Sequence, residues 1–228
     1  MSRLIAMLLA LAQATETPAP TPSIDEVQLP KLEAAFASIR AHQPQAALDT
    51  VEEVLRAYDA AHAGETRHIY CATSPTETIA YMGLAAKNHE GAVAVGQGYC
   101  DALFAKGFAL IDLGRLADAR ATYERLVALA PMHSHYLAEL GQTYRPERNW
   151  AKMYETCSSA AGFADLARPD EVKIVKGGSW RCMAYALTEQ HKYDEAAALY
   201  HKCLEINPQD TLATHELQYI DEQRQHRS

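Results

Sequence analysis

The chain has 228 residues, of which 48% are hydrophobic, and a formal net charge of −8 with a pI near 5.7. This length and apolar content are sufficient to bury a substantial core. An acidic chain has no basic surface with which to neutralise phosphates, so we exclude nucleic acid as the expected partner.

The first 14 residues have the pattern of an export signal. Arg3 precedes an apolar run over residues 4–12, and Ala12-Gln13-Ala14 has the small-x-small form of a signal-peptidase site. The run is shorter than the roughly 20 residues of a membrane-spanning helix, so we expect no stable membrane anchor. We predict a signal peptide over residues 1–14, cleaved after Ala14, and a periplasmic or secreted protein; a short amphipathic first helix is the alternative.

Residues 15–24 are predicted to be a proline-rich linker, because prolines remove backbone donors and interrupt helices. Two segments follow, one on each side of Pro44, with apolar residues at the i, i+3, i+4 spacing of an amphipathic helix. They predict a degenerate first helix hairpin.

A further helix is predicted over residues 76–86. It begins at Ser74-Pro75 and has Glu77 in its first turn, where the helix dipole favours negative charge. Residues 91–98 are rich in glycine and are expected to join the next helix. We therefore interpret residues 25–98 as a degenerate helical repeat region.

Two stretches that end at Pro131 and Pro208 repeat one pattern of small and large residues. The pattern comprises Gly107, Leu110, Gly114, Leu116, Ala119 and Tyr123 in the first stretch, and Trp180, Ala184, Leu187, Tyr193, Ala196 and Tyr200 in the second. A small residue on one helix lets a second helix approach closely, while large residues fill the space on either side. The pattern predicts pairs of antiparallel helices, each pair ended by proline.

This pattern resembles the tetratricopeptide repeat (TPR) family, whose 34-residue unit reads W-x2-L-G-x2-Y, then A-x3-F, then P. The best match is Trp180 to Pro208, and Leu137-Ala-Glu-Leu140-Gly141-Gln-Thr-Tyr144 reproduces the first half of a unit between the two stretches. The resemblance implies an all-α fold of antiparallel helix hairpins stacked as a right-handed superhelix, an α-solenoid. It also implies a non-catalytic scaffold or adaptor whose concave groove binds a peptide or helix of a partner protein.

The TPR-like region is expected to span residues 99–225. Because the two prolines are more than two 34-residue periods apart, we predict an inserted loop over residues 161–176. Residues 211–225 combine apolar positions with a charged tail, as a capping helix does when it covers the last apolar face of a stack.

The concave groove of such a stack is lined by the first helix of each hairpin. Counting from the helix contacts predicts as partner-binding residues Asp101, Phe104, Phe108, Asp112, His135, Gln142, Arg145, Arg181, Tyr185 and Glu189. Aromatic rings beside Arg145 and Arg181 suit an apolar peptide with an acidic group, since a guanidinium supplies paired donors. The alternative is that Phe104 and Phe108, at i and i+4, belong to the core.

Five cysteines, Cys71, Cys100, Cys157, Cys182 and Cys203, allow one or two disulfides in an oxidising compartment. Their spacing does not fix the pairing, and a small buried hydrophobic role is the alternative for each of them.

No metal or cofactor is expected. His133 and His135 are the closest histidine pair and have no third ligand at a suitable spacing, and there is no nucleotide-binding or hydrolase motif. The alternative to a binding module is an enzyme, or an enzyme subunit, with its site in the irregular residues 67–98. A pocket lined by at least two of His68, Cys71, His89 and Asp101 would favour that alternative. Nothing in the sequence specifies an oligomeric state.

Overall fold

Helix hairpins make up most of the part of the chain that the computed structural model describes, residues 22–226. The helices are α1 (Ile24–Arg40), α2 (Pro44–His62), α3 (Pro75–Lys87), α4 (Gly98–Asp112), α5 (Leu116–Leu129), α6 (Ser134–Gln142), α7 (Trp150–Phe163), α8 (Val172–Glu189), α9 (Tyr193–Ile206) and α10 (Thr211–Gln225). The strands β1 (His68–Cys71) and β2 (Ala92–Val95) complete the fold. The predicted signal peptide, residues 1–14, and most of the predicted linker lie outside the described residues.

Four hairpins form the stack: α1–α2, α4–α5, α6–α7 and α8–α9, and neighbouring hairpins pack against each other. Local signals in the sequence mark the starts of the first two helices. Ser23 and Glu26 form a capping box at the start of α1, and Pro44 occupies the first turn of α2. The predicted first hairpin is therefore present, and the all-α solenoid architecture is confirmed with one small sheet added.

The repeated small and large residues meet as the sequence predicts. Ala119 and Ala196 are fully buried, and so are the tyrosines four residues later in each repeat. A Cβ added to Gly107 would lie only 2.6 Å from Cζ of Tyr123, a distance that no packed side chain tolerates. Because Gly107 has no side chain, the ring of Tyr123 on α5 packs directly against the backbone of α4.

The middle hairpin uses a different contact. Gly141 lies against Cys157, where an added Cβ would be 2.3 Å from Sγ. Cys157 in turn pairs with Cys182, whose Cα is 6.0 Å away, and this disulfide joins α7 to α8. The glycine of the TPR-like motif in α6 therefore makes room for a covalent link between the next two helices.

Residues 66–97 differ from the predicted helical region. β1 and β2 pair in parallel, with His68 opposite Ala92 and Cys71 opposite Val95, and α3 is the crossover between them. Because α2 packs directly on α4, this strand–helix–strand unit is an insertion between two hairpins. The four-residue run Ala92–Val95 has no helical period, and short apolar runs of this kind do not distinguish strand from helix.

The insertion predicted over residues 161–176 also differs in form. α7 continues to Phe163, a 3-10 turn covers Ala164–Leu166, and α8 already begins at Val172. Gly177 and Gly178 lie inside α8, although glycine is a poor helix former, because α8 packs on both α7 and α9. Only residues 167–171 are non-helical there.

The last helix covers the end of the stack, as predicted. The buried Asp210 caps α10 by accepting a hydrogen bond from the backbone N–H of Ala213 at 3.0 Å, and Ile220 is fully buried. Within residues 22–226, no helix combines the length and the apolar character needed to cross a membrane.

Candidate functional site

Two adjoining cavities lie along one face of the stack and together form what we call the groove. The C-terminal cavity, of about 490 Å³, lies between α6, α8 and α10. The N-terminal cavity, of about 340 Å³, lies between α4, α6 and the start of α8. His135, Ile174 and Val175 line both cavities, so the groove is continuous.

Seven of the ten residues predicted for the groove line it. His135, Gln142, Arg145, Arg181 and Tyr185 line the C-terminal cavity, and Asp101, Phe104 and His135 line the N-terminal cavity. Phe108, Asp112 and Glu189 line neither. Asp112 and Glu189 are the last residues of α4 and α8, whereas the groove crosses the earlier turns of those helices. Phe108 is 38% exposed outside the groove.

The C-terminal cavity combines aromatic, apolar and charged side chains. The guanidinium of Arg145 lies 4.1 Å from the ring centroid of Tyr185, which also contacts the edge of Trp150. Arg181 is bound internally, because its guanidinium pairs with the buried carboxylate of Asp210. The expectation that a ligand finds both arginines free therefore requires correction for Arg181, whereas Arg145 is exposed and its contact with a ligand stays a prediction.

One wall of the N-terminal cavity is a row of polar side chains that contact one another through hydrogen bonds and ring stacking. Asp101 accepts hydrogen bonds from Nε2 of Gln97 at 2.8 Å and from the hydroxyl of Tyr136 at 3.1 Å. The ring of Tyr136 stacks on His133 with centroids 3.6 Å apart. Nε2 of His133 lies 3.9 Å from Oε1 of Glu77. This row joins α4, α6 and the strand–helix–strand unit.

Burial sets the protonation of this wall. Desolvation raises the pKa of both Glu77 and Asp101, since it disfavours the charged form of a carboxyl group. Desolvation also lowers the pKa of His133 to about 3, so this imidazole is neutral at pH 7. The wall therefore carries two carboxyl groups that burial makes harder to ionise, beside an uncharged histidine.

The two deviations from the repeat both reach the N-terminal cavity. Thr73 and Glu77 come from the strand–helix–strand unit, and Arg168 and Glu171 come from the turn before α8. None of these four residues was predicted as a site residue, and Glu77 was predicted only as a first-turn residue that the helix dipole favours. The only signal in the sequence was the break in the 34-residue period at these two places.

Comparison with known proteins supports the repeat assignment. Residues 101–133 and residues 178–210 each match the tetratricopeptide repeat family. The chain carries TPR repeats. No curated protein matches it.

Solved TPR proteins share the fold. MamA from Desulfovibrio magneticus RS-1 has a TM-score of 0.59 and 11% identity, over 89% of this chain and 88% of that one. A putative kinesin light chain with nearly identical TPR-like repeats from Podosopora anserina has a TM-score of 0.57 and 16% identity, over 90% and 92% of the two chains. Because these sequence identities are low, the structural similarity shows only that this chain has the fold of a TPR-like α-solenoid.

Neither cavity of the groove is lined by two of the four residues named for a catalytic site. Cys71 is buried and paired with Cys100, at a Cα separation of 6.1 Å. His68 is exposed beside the carbonyl of Ala128, and of the four residues Asp101 alone lines one of the two cavities of the groove. Within residues 22–226 there is no group of three or more residues suited to hold a metal ion.

Proposed function

We propose that this protein is a non-catalytic interaction module that holds a peptide or helix of a partner protein in the groove. The observation that carries the proposal is Ile174, which lines both cavities where they meet and is 71% exposed. Leu212, 64% exposed, extends the apolar surface at the C-terminal end of the groove. Exposed apolar side chains in a groove with a charged rim are typical of helix and peptide binding.

A pair of isoleucines provides a matched test. Ile174 and Ile79 are both helical and similarly exposed, at 71% and 74%, but Ile79 is on the outer face of α3 and lines neither cavity. Affinity capture from an extract of the native cells is carried out with the wild type, Ile174→Glu and Ile79→Glu. We expect Ile174→Glu to reduce recovery of the partner about 10-fold or more, since a charge in an apolar contact costs over 1 kcal/mol.

The capture experiment has clear opposing outcomes. The partner is expected to stay bound to Ile79→Glu, which tests for any general effect of a new surface charge. If both variants lose the same proteins, or neither does, the groove is not the binding surface and the proposal fails.

We also propose that the protein is exported and that residues 1–14 are its signal peptide. The apolar run and the Ala12-Gln13-Ala14 site support this, as do two cysteine pairs with Cα separations of 6.1 and 6.0 Å, because disulfides persist outside the cytosol. N-terminal sequencing of the protein from native cells should begin at Thr15. A sequence that begins at Met1 or Ser2 would contradict export by cleavage.

A further inference from the structure

Glu77 is a buried carboxylate without a cation. Its side chain is 3% exposed, and Oε2 accepts hydrogen bonds from the backbone N–H and the hydroxyl of Thr73, both at 2.7 Å. Within residues 22–226, Oε1 accepts no hydrogen bond, and Nε2 of the neutral His133 lies 3.9 Å from it. A buried charge of this kind is costly to the fold unless a partner compensates it.

Asp101 is a second carboxyl group of this wall and is partly buried. It receives two neutral hydrogen bonds, from Gln97 and Tyr136, and forms no ion pair within the described residues. Arg168, on the turn before α8, also lines the cavity but is paired with Glu171. The formal charge of these lining residues is therefore negative at pH 7, with three carboxylates against one guanidinium.

Aromatic rings complete the cavity. Phe104 lies 5.2 Å from the ring of His135 and 5.8 Å from that of Tyr136, and Phe36 of α1 lines the same space. An aromatic wall beside carboxylates favours a cation on an aliphatic stem, because the rings contact the stem and attract the charge while the carboxylates accept its hydrogen bonds.

We propose that the N-terminal cavity receives a lysine or arginine side chain of the bound peptide, with Glu77 and Asp101 as the acceptors of its charged head. The inference rests on the proposed function and adds the chemistry of the partner. It differs from the sequence-based expectation of an acidic group, which relied on arginines in the other cavity. Recognition of this kind gives specificity, since a peptide without the cation leaves buried carboxylates unpaired.

The test uses the full chain and a display library of random twelve-residue peptides. The library is panned against the wild type, Asp101→Asn, and Asp112→Asn, which changes an exposed carboxylate at the far end of α4, outside the groove. The wild type and the two variants are first compared by circular dichroism and thermal unfolding. We expect the wild type and Asp112→Asn to enrich peptides with lysine or arginine at one fixed position, and Asp101→Asn to lose that enrichment.

A selected peptide then tests the contact itself. Replacing its basic residue with norleucine should weaken binding to the wild type about 10-fold or more, as measured by fluorescence anisotropy, and should have little effect on binding to Asp101→Asn. Arg168→Gln should strengthen binding of the basic peptide, because it removes a competing cation from the cavity. Weaker binding to Arg168→Gln would indicate an anionic ligand and overturn the proposal.

The outcomes separate the two proposals. If the selected peptides lack a fixed basic residue but their binding is lost in Ile174→Glu, the groove binds peptides and only the cation site is wrong. If no peptide is enriched by the wild type, or if Ile174→Glu retains every selected peptide, both proposals fail.

Discussion

The TPR repeats and the strand–helix–strand unit both line the groove, but different contacts hold them in place. In the repeats, contacts such as Gly107 against Tyr123 recur at fixed offsets and set the distance between helices. The strand–helix–strand unit has a two-stranded sheet and is joined to α4 by the Cys71–Cys100 disulfide. The regular hairpins thus determine the shape of the groove, whereas the irregular segments add the charged side chains of Glu77, Arg168 and Glu171 to its N-terminal cavity.

The largest expected effect comes from removing the Cys71–Cys100 disulfide by Cys71→Ala/Cys100→Ala. Chain-entropy arguments assign about 3.6 kcal/mol to a loop that is closed by residues 29 positions apart. Because this bond holds the strand–helix–strand unit on α4, we expect hydrogen exchange to lose protection first in residues 68–95. The control, Cys157→Ala/Cys182→Ala, should expose α7 and α8 instead. Uniform loss of protection in both variants would mean that the two regions are one cooperative unit.

A smaller but still large effect is expected from a single methyl group at Gly107. Gly107→Ala brings Cβ within 2.9 Å of three ring atoms of the fully buried Tyr123, so we expect a loss of about 2 kcal/mol from overpacking. Gly83→Ala in α3, where an added Cβ meets nothing within 4 Å, should stabilise by about 0.5 to 1 kcal/mol. Urea unfolding measures both. Equal responses would contradict the close packing of the repeat.

The smallest effect concerns Glu77 and depends on pH. Its folded-state pKa is raised above the ordinary 4.5 by burial and by the charge of Glu171, against the hydrogen bonds from Thr73. The folded state therefore binds the proton more tightly, and the carboxylate lowers stability above the folded pKa. Glu77→Gln should be more stable than the wild type at pH 7, and this advantage should disappear as the pH falls to 4.5.

Urea unfolding at the two pH values, with the exposed Glu33→Gln as the control, measures this difference. A Glu77→Gln variant that is less stable at pH 7 would show that the carboxylate stabilises the fold. The cost of an unpaired carboxylate would then no longer support a cation site at Glu77.

The repeats could be predicted because their determinants are local and periodic. Gly107, Ala119 and Tyr123 lie at offsets that the second repeat reproduces, and the capping helix that begins after Asp210 has the apolar spacing of a terminal helix. The capping residue Ser74 and the first-turn residue Pro44 likewise mark the starts of α3 and α2 in the sequence.

The acidic end of the groove could not be predicted from such signals. Whether Glu77 is solvated or buried depends on contacts with α6, which lies more than 50 residues farther along the chain. The pairing of Cys71 with Cys100 depends on the parallel strands, whose short apolar runs also suit a helix. The position of Arg168 depends on where α8 begins. The start of α8 at Val172 could not be predicted, because Gly177 and Gly178 indicate a loop in the sequence.

Photo-cross-linking from within the groove tests the central claim most directly. Benzoylphenylalanine is introduced at position 174 or at position 79, two similarly exposed sites on helices, and the protein is irradiated in native cells. We predict that the probe at 174 forms a covalent adduct with a defined partner protein and that the probe at 79 does not. Adducts with the same protein from both sites, or from position 79 alone, would contradict a partner held in the groove.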